Sequence, residues 1–327
     1  MYKAAGDHAF TKESLYGTDP EATYAGALSF MRRKYARDLE GVDVAVSGVP
    51  FDLATTNRPG TRFGPAAIRR ASAQLAWGLP FPWPFDPFNR LAVVDWGDCR
   101  FDFGHPDKIP DQIEAHAAAI LEAGASMLTL GGDHFITYPL LKAHAKVHGP
   151  LALIHFDAHS DTWREDGERI DHGTMFFHAA RHGLVDPSCS AQIGIRTHND
   201  ETHGFTILDA PWVHANGAEA AAAEIKRVVG DRKAYLTFDI DCLDPAFAPG
   251  TGTPVVGGLS THQARAILRG LVDVDLVGMD LVEVAPMYDV GDITALAGAT
   301  LALDYLCLRA ASLPDKAEAK AAHAGPR

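Results

Sequence analysis

Short apolar runs of five to nine residues alternate along most of this 327-residue chain with longer segments of helical periodicity. That alternation admits few folds. The runs are VDVAVSGV (42–49), LAVVDW (91–96), SMLTL (126–130), LALIHF (151–156), AQIGIR (191–196), AYLTF (234–238) and VDLVGMDLV (274–282). Strands separated by helices cannot pair as hairpins, so they pair in parallel and are covered by helices on both faces. The expected fold class is α/β, a three-layer α/β/α sandwich with a central, mostly parallel sheet. Residues 110–124 predict a helix, with Pro near the start, Gly at the end and Ile113, Ala117, Ile120 and Leu121 at helical spacing. Residues 217–230 and 293–311 read the same way, and the last is apolar enough to be largely buried. No repeat or Ser/Gly linker marks a boundary, so one domain over 41–312 is expected. Residues 1–40 read as an N-terminal arm and 313–327 as a disordered tail. The Pro- and Trp-rich piece 79–88 reads as a packed surface loop or a subunit contact.

Three of the apolar runs end in residues that bind metals. SMLTL leads into GGDHFITYP, LALIHF into DAHSDTW, and AYLTF into DIDCLDPAFAPGTGTP. In open α/β sheets functional groups collect beyond the carboxyl ends of the strands, where the loops converge. In an extended chain residues two apart share a face, so Asp157, His159 and Asp161 can meet at one point, and Asp239 and Asp241 can join them. His134 makes a sixth candidate. Four carboxylates and two neutral imidazoles carry a charge of −4, which a protein interior tolerates only if cations neutralise it. Two divalent ions would do so, and an oxygen-rich set suits Mn²⁺ better than the thiolate sets that favour zinc. Cys242, between two of these acids, should point away. His155 shares parity with Asp157, so spacing alone leaves it open as a ligand, although a satisfied core histidine is the simpler reading.

Two further segments bear on reactivity. DHGTMF (171–176) brings His172 near the 157–161 loop, where it could shuttle protons near neutral pH. VGMDLVEVAP (277–286) ends a strand with Asp280 and Glu283, and either could be a helix cap, a solvated charge or a carboxylate that clasps a planar cation through two parallel hydrogen bonds.

Composition narrows the partners. Lys and Arg number 29 against 42 Asp and Glu, a formal charge of −13, which is the wrong sign for nucleic acid or an anionic membrane surface. The start of the chain has no apolar core typical of a signal peptide, and no run approaches the ~18 uninterrupted apolar residues of a membrane helix. Cys99, Cys189, Cys242 and Cys307 lie far apart, as free thiols in a reducing compartment would. A cytoplasmic location is therefore expected, with no nucleic acid and no membrane as partners.

Taken together, GGDHFITYP, FDAHSDTW, DHGTMF, TFDIDCLDPAFAPGTGTP and DLVEVAP, with GVPFD (48–52) and RFGPAAIR (62–69), resemble the ureohydrolase family, which includes arginase and agmatinase. The resemblance runs from about residue 42 to 308. DHGTMF and the uninterrupted DIDCLDPAFAPGTGTP run are closer to the agmatinase branch. The resemblance implies an arginase-like fold and a cofactor of two Mn²⁺ per chain. By similarity His134, Asp157, Asp161 and Asp239 would hold one ion, and Asp157, His159, Asp239 and Asp241 the other, with Asp157 and Asp239 bridging. It further implies catalytic roles for His172 in proton transfer, for Glu283 in binding a guanidinium, and for Asp161 as a second candidate to protonate the leaving amine. The implied reaction is hydrolysis of a small guanidino substrate by a metal-bridging hydroxide, with agmatine giving putrescine and urea. A guanidinobutyrase or another ω-guanidino-acid hydrolase is the alternative, and a catalytically silent metal-binding homologue a further one. A single-zinc deacetylase of similar architecture is disfavoured by the six-residue set. The family also implies a homo-oligomer, a trimer or hexamer. For the substrate tail, loop 162–173 offers Glu165, Asp166, Glu168 and Asp171 against Arg164 and Arg169, a slight preference for a cation, and residues 54–65 are expected at the mouth of the site.

Overall fold

A computed structural model describes Leu15 and residues 22–167 and 169–316 of the chain. Among these residues nine strands form a single sheet: β1 (Lys34–Tyr35), β2 (Val44–Val49), β3 (Val93–Asp98), β4 (Ser126–Gly131), β5 (Ala152–Phe156), β6 (Ala191–Ile193), β7 (Thr206–Leu208), β8 (Ala234–Asp239) and β9 (Leu276–Val282). Their order across the sheet is β1-β3-β2-β4-β9-β8-β5-β6-β7, and every pairing is parallel. The seven expected strands are present within a few residues of their predicted ends. The two additions, β1 and β7, are the sheet's edges and too short to leave a periodic signature.

Covering helices explain why the inner strands are apolar at every position rather than at alternate ones. Adjacent residues of one strand enter opposite cores. Met127, Leu153 and Tyr235 face α2 (Ile109–Glu122), α3 (Thr137–His148) and α4 (Met175–Arg181). Leu128, Ile154 and Leu236 face α1 (Gly64–Ser72), α5 (Ala210–Val229), α6 (Thr261–Arg269) and α7 (Ile293–Ala310). The predicted α2 buries the residues its spacing selected, Ile113, Ala117, Ile120 and Leu121. Helix α5 begins seven residues before its expected start, because Asp209 caps it by accepting the Trp212 N–H at 2.7 Å; Gly217, at φ 85°, interrupts it. Helix α7 is long and hydropathic enough for a bilayer span, yet most of it is buried, packed against α1, α6 and β9.

The sequence arm and tail both reach the core. Residues 30–33 are buried, and the Asp95 carboxylate accepts the Phe30 N–H at 2.7 Å while Arg69 grips the same carboxylate at 2.7 and 2.9 Å. Lys316 pairs with Asp43 at 2.8 Å, and the rest of the expected tail, 317–327, lies outside the described residues, as do 1–14 and 16–21 of the arm. The 79–88 piece is anchored by Trp83, whose indole N–H donates to Asp304 at 2.8 Å, while Phe81 stays exposed.

One glycine sets how the strand ends meet. Gly132 follows β4, donates to the Val49 carbonyl at 3.0 Å and accepts the Glu283 N–H at 2.9 Å, so it links the tips of β2, β4 and β9. A Cβ there would overlap the Phe51 carbonyl oxygen and lie 2.6 Å from the Phe51 nitrogen. Since the obstacle is backbone, Gly132→Ala is expected to cost about 3 kcal/mol, as severe overpacking does. Urea unfolding of the metal-free protein measures it, and a loss under 1 kcal/mol would show that the β2 tip moves freely.

Candidate metal centre

The four central strands in the sheet order, β4, β9, β8 and β5, end level with one another, with Leu130 beside Leu281, Val282 beside Asp239 and Phe238 beside Phe156. Each delivers site residues from its carboxyl end. His134 stands three residues after β4, Asp157, His159 and Asp161 follow β5, Asp239 closes β8 with Asp241 behind it, and Glu283 follows β9. All six candidate ligands therefore converge, although the chain reaches them differently from the extended alternation expected. The Asp157 carboxylate turns back to accept the His159 N–H at 2.6 Å, and Asp239 accepts the Asp241 N–H at 2.8 Å, capping a single 3₁₀ turn. Asp161 has φ 51°, a left-handed conformation uncommon outside glycine that Asp tolerates better than most residues.

Two groups of ligand atoms result. In the first, His134 Nδ1 lies 3.0 Å from Asp157 Oδ2, 3.1 Å from Asp161 Oδ2 and 3.2 Å from Asp239 Oδ2. In the second, His159 Nδ1 lies 3.3 Å from Asp157 Oδ1 and 3.2 Å from Asp241 Oδ2. Asp157 spans both groups, one oxygen in each. Asp239 belongs to the first through Oδ2, while its Oδ1 serves the Asp241 N–H, so the bridging expected of Asp239 is not among these contacts. Cys242 points away, its Sγ 3.5 Å from the Ile193 carbonyl in the core. His155 is fully buried, with Nε2 2.8 Å from Asp157 Oδ2 and Nδ1 2.9 Å from the Gln192 amide. Both its nitrogens are engaged, as in a satisfied core histidine.

The tautomer of His134 tests whether the cluster suits a cation. Beneath it, Thr237 Oγ1 lies 2.5 Å from Asp280 Oδ1 and 2.8 Å from His134 Nε2. The buried Asp280 carboxylate also takes hydroxyl hydrogens from Thr137 and Tyr235, each at 2.9 Å. Because Asp280 can only accept, Thr237 gives its hydrogen to it and must receive one from His134 Nε2. Nδ1 is buried and ringed by three carboxylate oxygens; burial lowers its proton affinity, but hydrogen bonds to Asp157, Asp161 and Asp239 more than reverse this in the metal-free protein, so a cation entering here takes the lone pair in place of that proton. Four acceptors around one point fit a metal ion. Asp280 thus supports the site from below and takes no place in it, which resolves the choice between Asp280 and Glu283.

Glu283 lies at the edge of the same cluster with φ 65°; its Oε1 accepts the His134 N–H at 2.8 Å and its Oε2 is buried with no partner. His172 bridges outward, with Nδ1 3.6 Å from Glu283 Oε1 and Nε2 2.9 Å from Thr56 Oγ1. Above the ligands is a cavity of about 110 Å³, lined by Thr56, Trp163, His172, Gly173 and Thr253 over His134, His159, Asp161 and Asp239. Thr56 comes from the segment expected at the mouth. Trp163, Thr253, Thr237 and Gln192 were not foreseen, since ordinary residues in loops and strands carry no local signal of a cross-strand role. The charges of loop 162–173 do not line the cavity: Arg164 pairs with Asp166 at 2.9 Å and Arg169 with Asp171 at 2.8 Å, while Glu168 lies outside the described residues.

A model of the arginase family matches residues 42–307. The chain belongs to the arginase family. The agmatinase of Chromobacterium violaceum is 61% identical over 305 residues, covering 93% of this chain and 95% of that protein. The crystal structure of a hypothetical agmatinase from Burkholderia thailandensis, also 61% identical, superposes with a TM-score of 0.92 and covers 94% of this chain and 98% of that one. Proclavaminate amidino hydrolase from Streptomyces clavuligerus, at 40% identity, gives 0.84 over 89% of this chain and 99% of the other. This arginase-family chain is therefore an enzyme of the ureohydrolase type, and its His/Asp cluster fits a binuclear metal centre.

Electrostatics in this arginase-family site follow from packing acids out of water. Burial, with the Asp241 and Asp157 charges added, pushes the Asp239 carboxyl well above its usual range; burial and Asp157 also raise Asp161 and Asp241. Burial acts on Asp157 too, but His155 and hydrogen bonds from His134, His155 and His159 outweigh it and hold Asp157 well below the usual range. His159 is pushed up to about 12, because Asp157 and Asp241 overcome its desolvation. Asp241→Ala leaves the second group with His159 and one oxygen of Asp157. Metal analysis after desalting should find one ion per chain instead of two, and retention of two would remove Asp241 from the ligand set.

Burial lowers the affinity of His172 for a proton, but the Glu283 carboxylate, with Asp161 and Asp133, more than reverses this and raises its pKa to about 9. A folded-state value above the unfolded one, near 6.5, means that this pairing stabilises the metal-free protein fully below about pH 6.5 and is lost as pH rises through about 9. Ring-proton NMR of the metal-free protein should show His172 titrating near pH 9, and Glu283→Gln should move the midpoint downward. An unmoved midpoint would exclude Glu283 as the cause.

Proposed function

We propose that this enzyme hydrolyses agmatine to putrescine and urea with two Mn²⁺ ions. The observation that carries the reading is the cavity above the ligands. Its floor is acid and imidazole, none of its lining residues is Lys or Arg, and Glu283 adjoins it through His172, whose Nδ1 lies 3.6 Å from Oε1. A substrate tail ending in a carboxylate would be buried there without a cation, which is costly, whereas a cationic chain meets no repulsion. The agmatinase relatives support the same substrate.

In this reading His134, Asp157, Asp161 and Asp239 hold one ion, and Asp157, His159 and Asp241 the other. Hard oxygen donors with two imidazoles favour Mn²⁺. Bound there, the ions supply the positive charge the carboxylates lack and the Lewis acidity that makes water nucleophilic near neutral pH. Glu283 accepts guanidinium N–H bonds at Oε2 while Oε1 stays tied to the His134 backbone, so the planar cation is oriented against a fixed carboxylate. Trp163 and Gly173 wall the cavity on the side of His172. Water adds to the guanidinium carbon, the bond from that carbon to the substituted nitrogen breaks, and the oxygen remains in urea. The departing nitrogen needs a proton. His172 stands between Glu283 and Thr56, within the cavity wall, placed to donate it.

Urea release from agmatine, arginine and 4-guanidinobutyrate by the Mn²⁺-loaded protein tests the substrate. Agmatine is expected to lead in kcat/KM by about 100-fold; faster turnover of guanidinobutyrate would transfer the assignment to a guanidino acid. His172→Asn should keep both ions and lower kcat by about 10²- to 10⁴-fold, and an unchanged kcat would remove the ring from the mechanism.

A further inference from the structure

Asp157 is the acid on which both ligand groups depend, and a chain of hydrogen bonds behind it controls how its carboxylate points. We propose that His155, Gln192 and the Ser160 carbonyl form a polarised relay that positions Asp157 for metal binding. The inference rests on the reading of Asp157 as a shared ligand.

The polarity of the relay follows from its far end. The Gln192 amide nitrogen lies 2.6 Å from the Ser160 carbonyl oxygen and 2.9 Å from His155 Nδ1. A carbonyl only accepts, so the amide must present its NH₂ there, and rotating it would set oxygen against oxygen. The second hydrogen of the same NH₂ then points at His155 Nδ1, which has to receive it as a lone pair. The ring hydrogen is therefore on Nε2, 2.8 Å from Asp157 Oδ2, and donates to it. Buried carboxylates hold an orientation only when their oxygens are satisfied individually. Here Oδ1 takes the His159 N–H at 2.6 Å and Oδ2 takes the His155 ring, so one lone pair of each oxygen is used and the others face the two ligand groups.

The relay also spans three parts of the fold. His155 is on β5, Gln192 is on the neighbouring β6, directly opposite it in register, and Ser160 lies in the loop between Asp157 and Asp161. The amide thus ties the positions of two candidate ligands to one another. His155 is fully buried, with its ring 4.5 Å from that of Phe176, so it has no freedom to swing away. Gln192 is fully buried as well, and its amide oxygen has no partner. Keeping such a residue in a core is costly unless its donors matter.

Replacing His155 by Phe keeps the ring's bulk and removes the donor, whereas His155→Gln can return an N–H to nearly the same point. Calorimetric titration of Mn²⁺ into metal-free protein should show affinity reduced about 10- to 100-fold in His155→Phe and restored to within a few-fold of wild type in His155→Gln. Gln192→Leu, which leaves the donor but releases its tautomer, should lose less than His155→Phe. Electron paramagnetic resonance should show isolated Mn²⁺ in place of a coupled pair at two equivalents in His155→Phe. Melting temperatures of the metal-free variants serve as the fold control. Wild-type Mn²⁺ affinity in His155→Phe, or equal losses in the Phe and Gln variants, would overturn the relay. If His155→Phe does not fold, wild-type affinity in Gln192→Leu overturns it equally. If wild-type protein takes up no Mn²⁺, the ligand reading on which the relay rests is what fails.

Discussion

Carboxylates brought together out of water repel one another, and the arrangement around Asp157 holds only if positive charge is supplied among them. Much of the surrounding structure serves to keep the acids in place regardless. Asp157 and Asp239 are each pinned by a backbone N–H two residues on, and the His134 ring is turned by Thr237 and Asp280 so that Nδ1 enters the cluster. In the metal-free protein the strain appears as proton affinity: burial and mutual repulsion raise Asp239, Asp161 and Asp241, while Asp157 and Asp241 raise His159. Protons and metal ions are thus rivals for one cluster, and binding of the second displaces the first.

The α/β class and the clustering of the six candidate ligands were legible in the chain because both leave local signals. A strand buried on two faces is a continuous apolar run, and a metal-type residue just beyond it is visible without knowing which strands are neighbours. The reason offered for DxHxD and DxD was nevertheless incomplete. Those spacings work through capped turns and a left-handed Asp161, which bring alternate side chains together more tightly than an extended strand would. Helices α1, α3, α4 and α6 and the edge strands β1 and β7 were missed. The edges are too short to show a period, and α3 opens inside the ligand motif itself, where HFITYP reads as a loop. Thr237, Gln192 and Asp280 illustrate a different limit, since their roles exist only across strands and the strand order is not written in any one of them.

The charges of loop 162–173 suggested a slight preference for a cationic tail. Arg164 and Asp166, and Arg169 and Asp171, are spent on one another, and Glu165 accepts the Gly167 N–H. In the proposed reading, what disfavours an anionic tail is an omission, the lack of any Lys or Arg in the cavity wall. Selectivity of that kind arises from what a competing substrate would leave unpaired.

The order of strands has a consequence for how the enzyme comes into being. β9 is the last strand in the chain, yet it lies between β4 and β8 at the middle of the sheet. Until it inserts, the halves carrying His134 and Asp157 have no common edge, and Glu283 is absent. A chain emerging during synthesis can therefore assemble its flanking strands early but cannot close the site until residue 283 is available, so a complete cluster of candidate ligands presupposes the central sheet. Such a long-range closure is slow to form and, once made, is undone only by withdrawing the central strand.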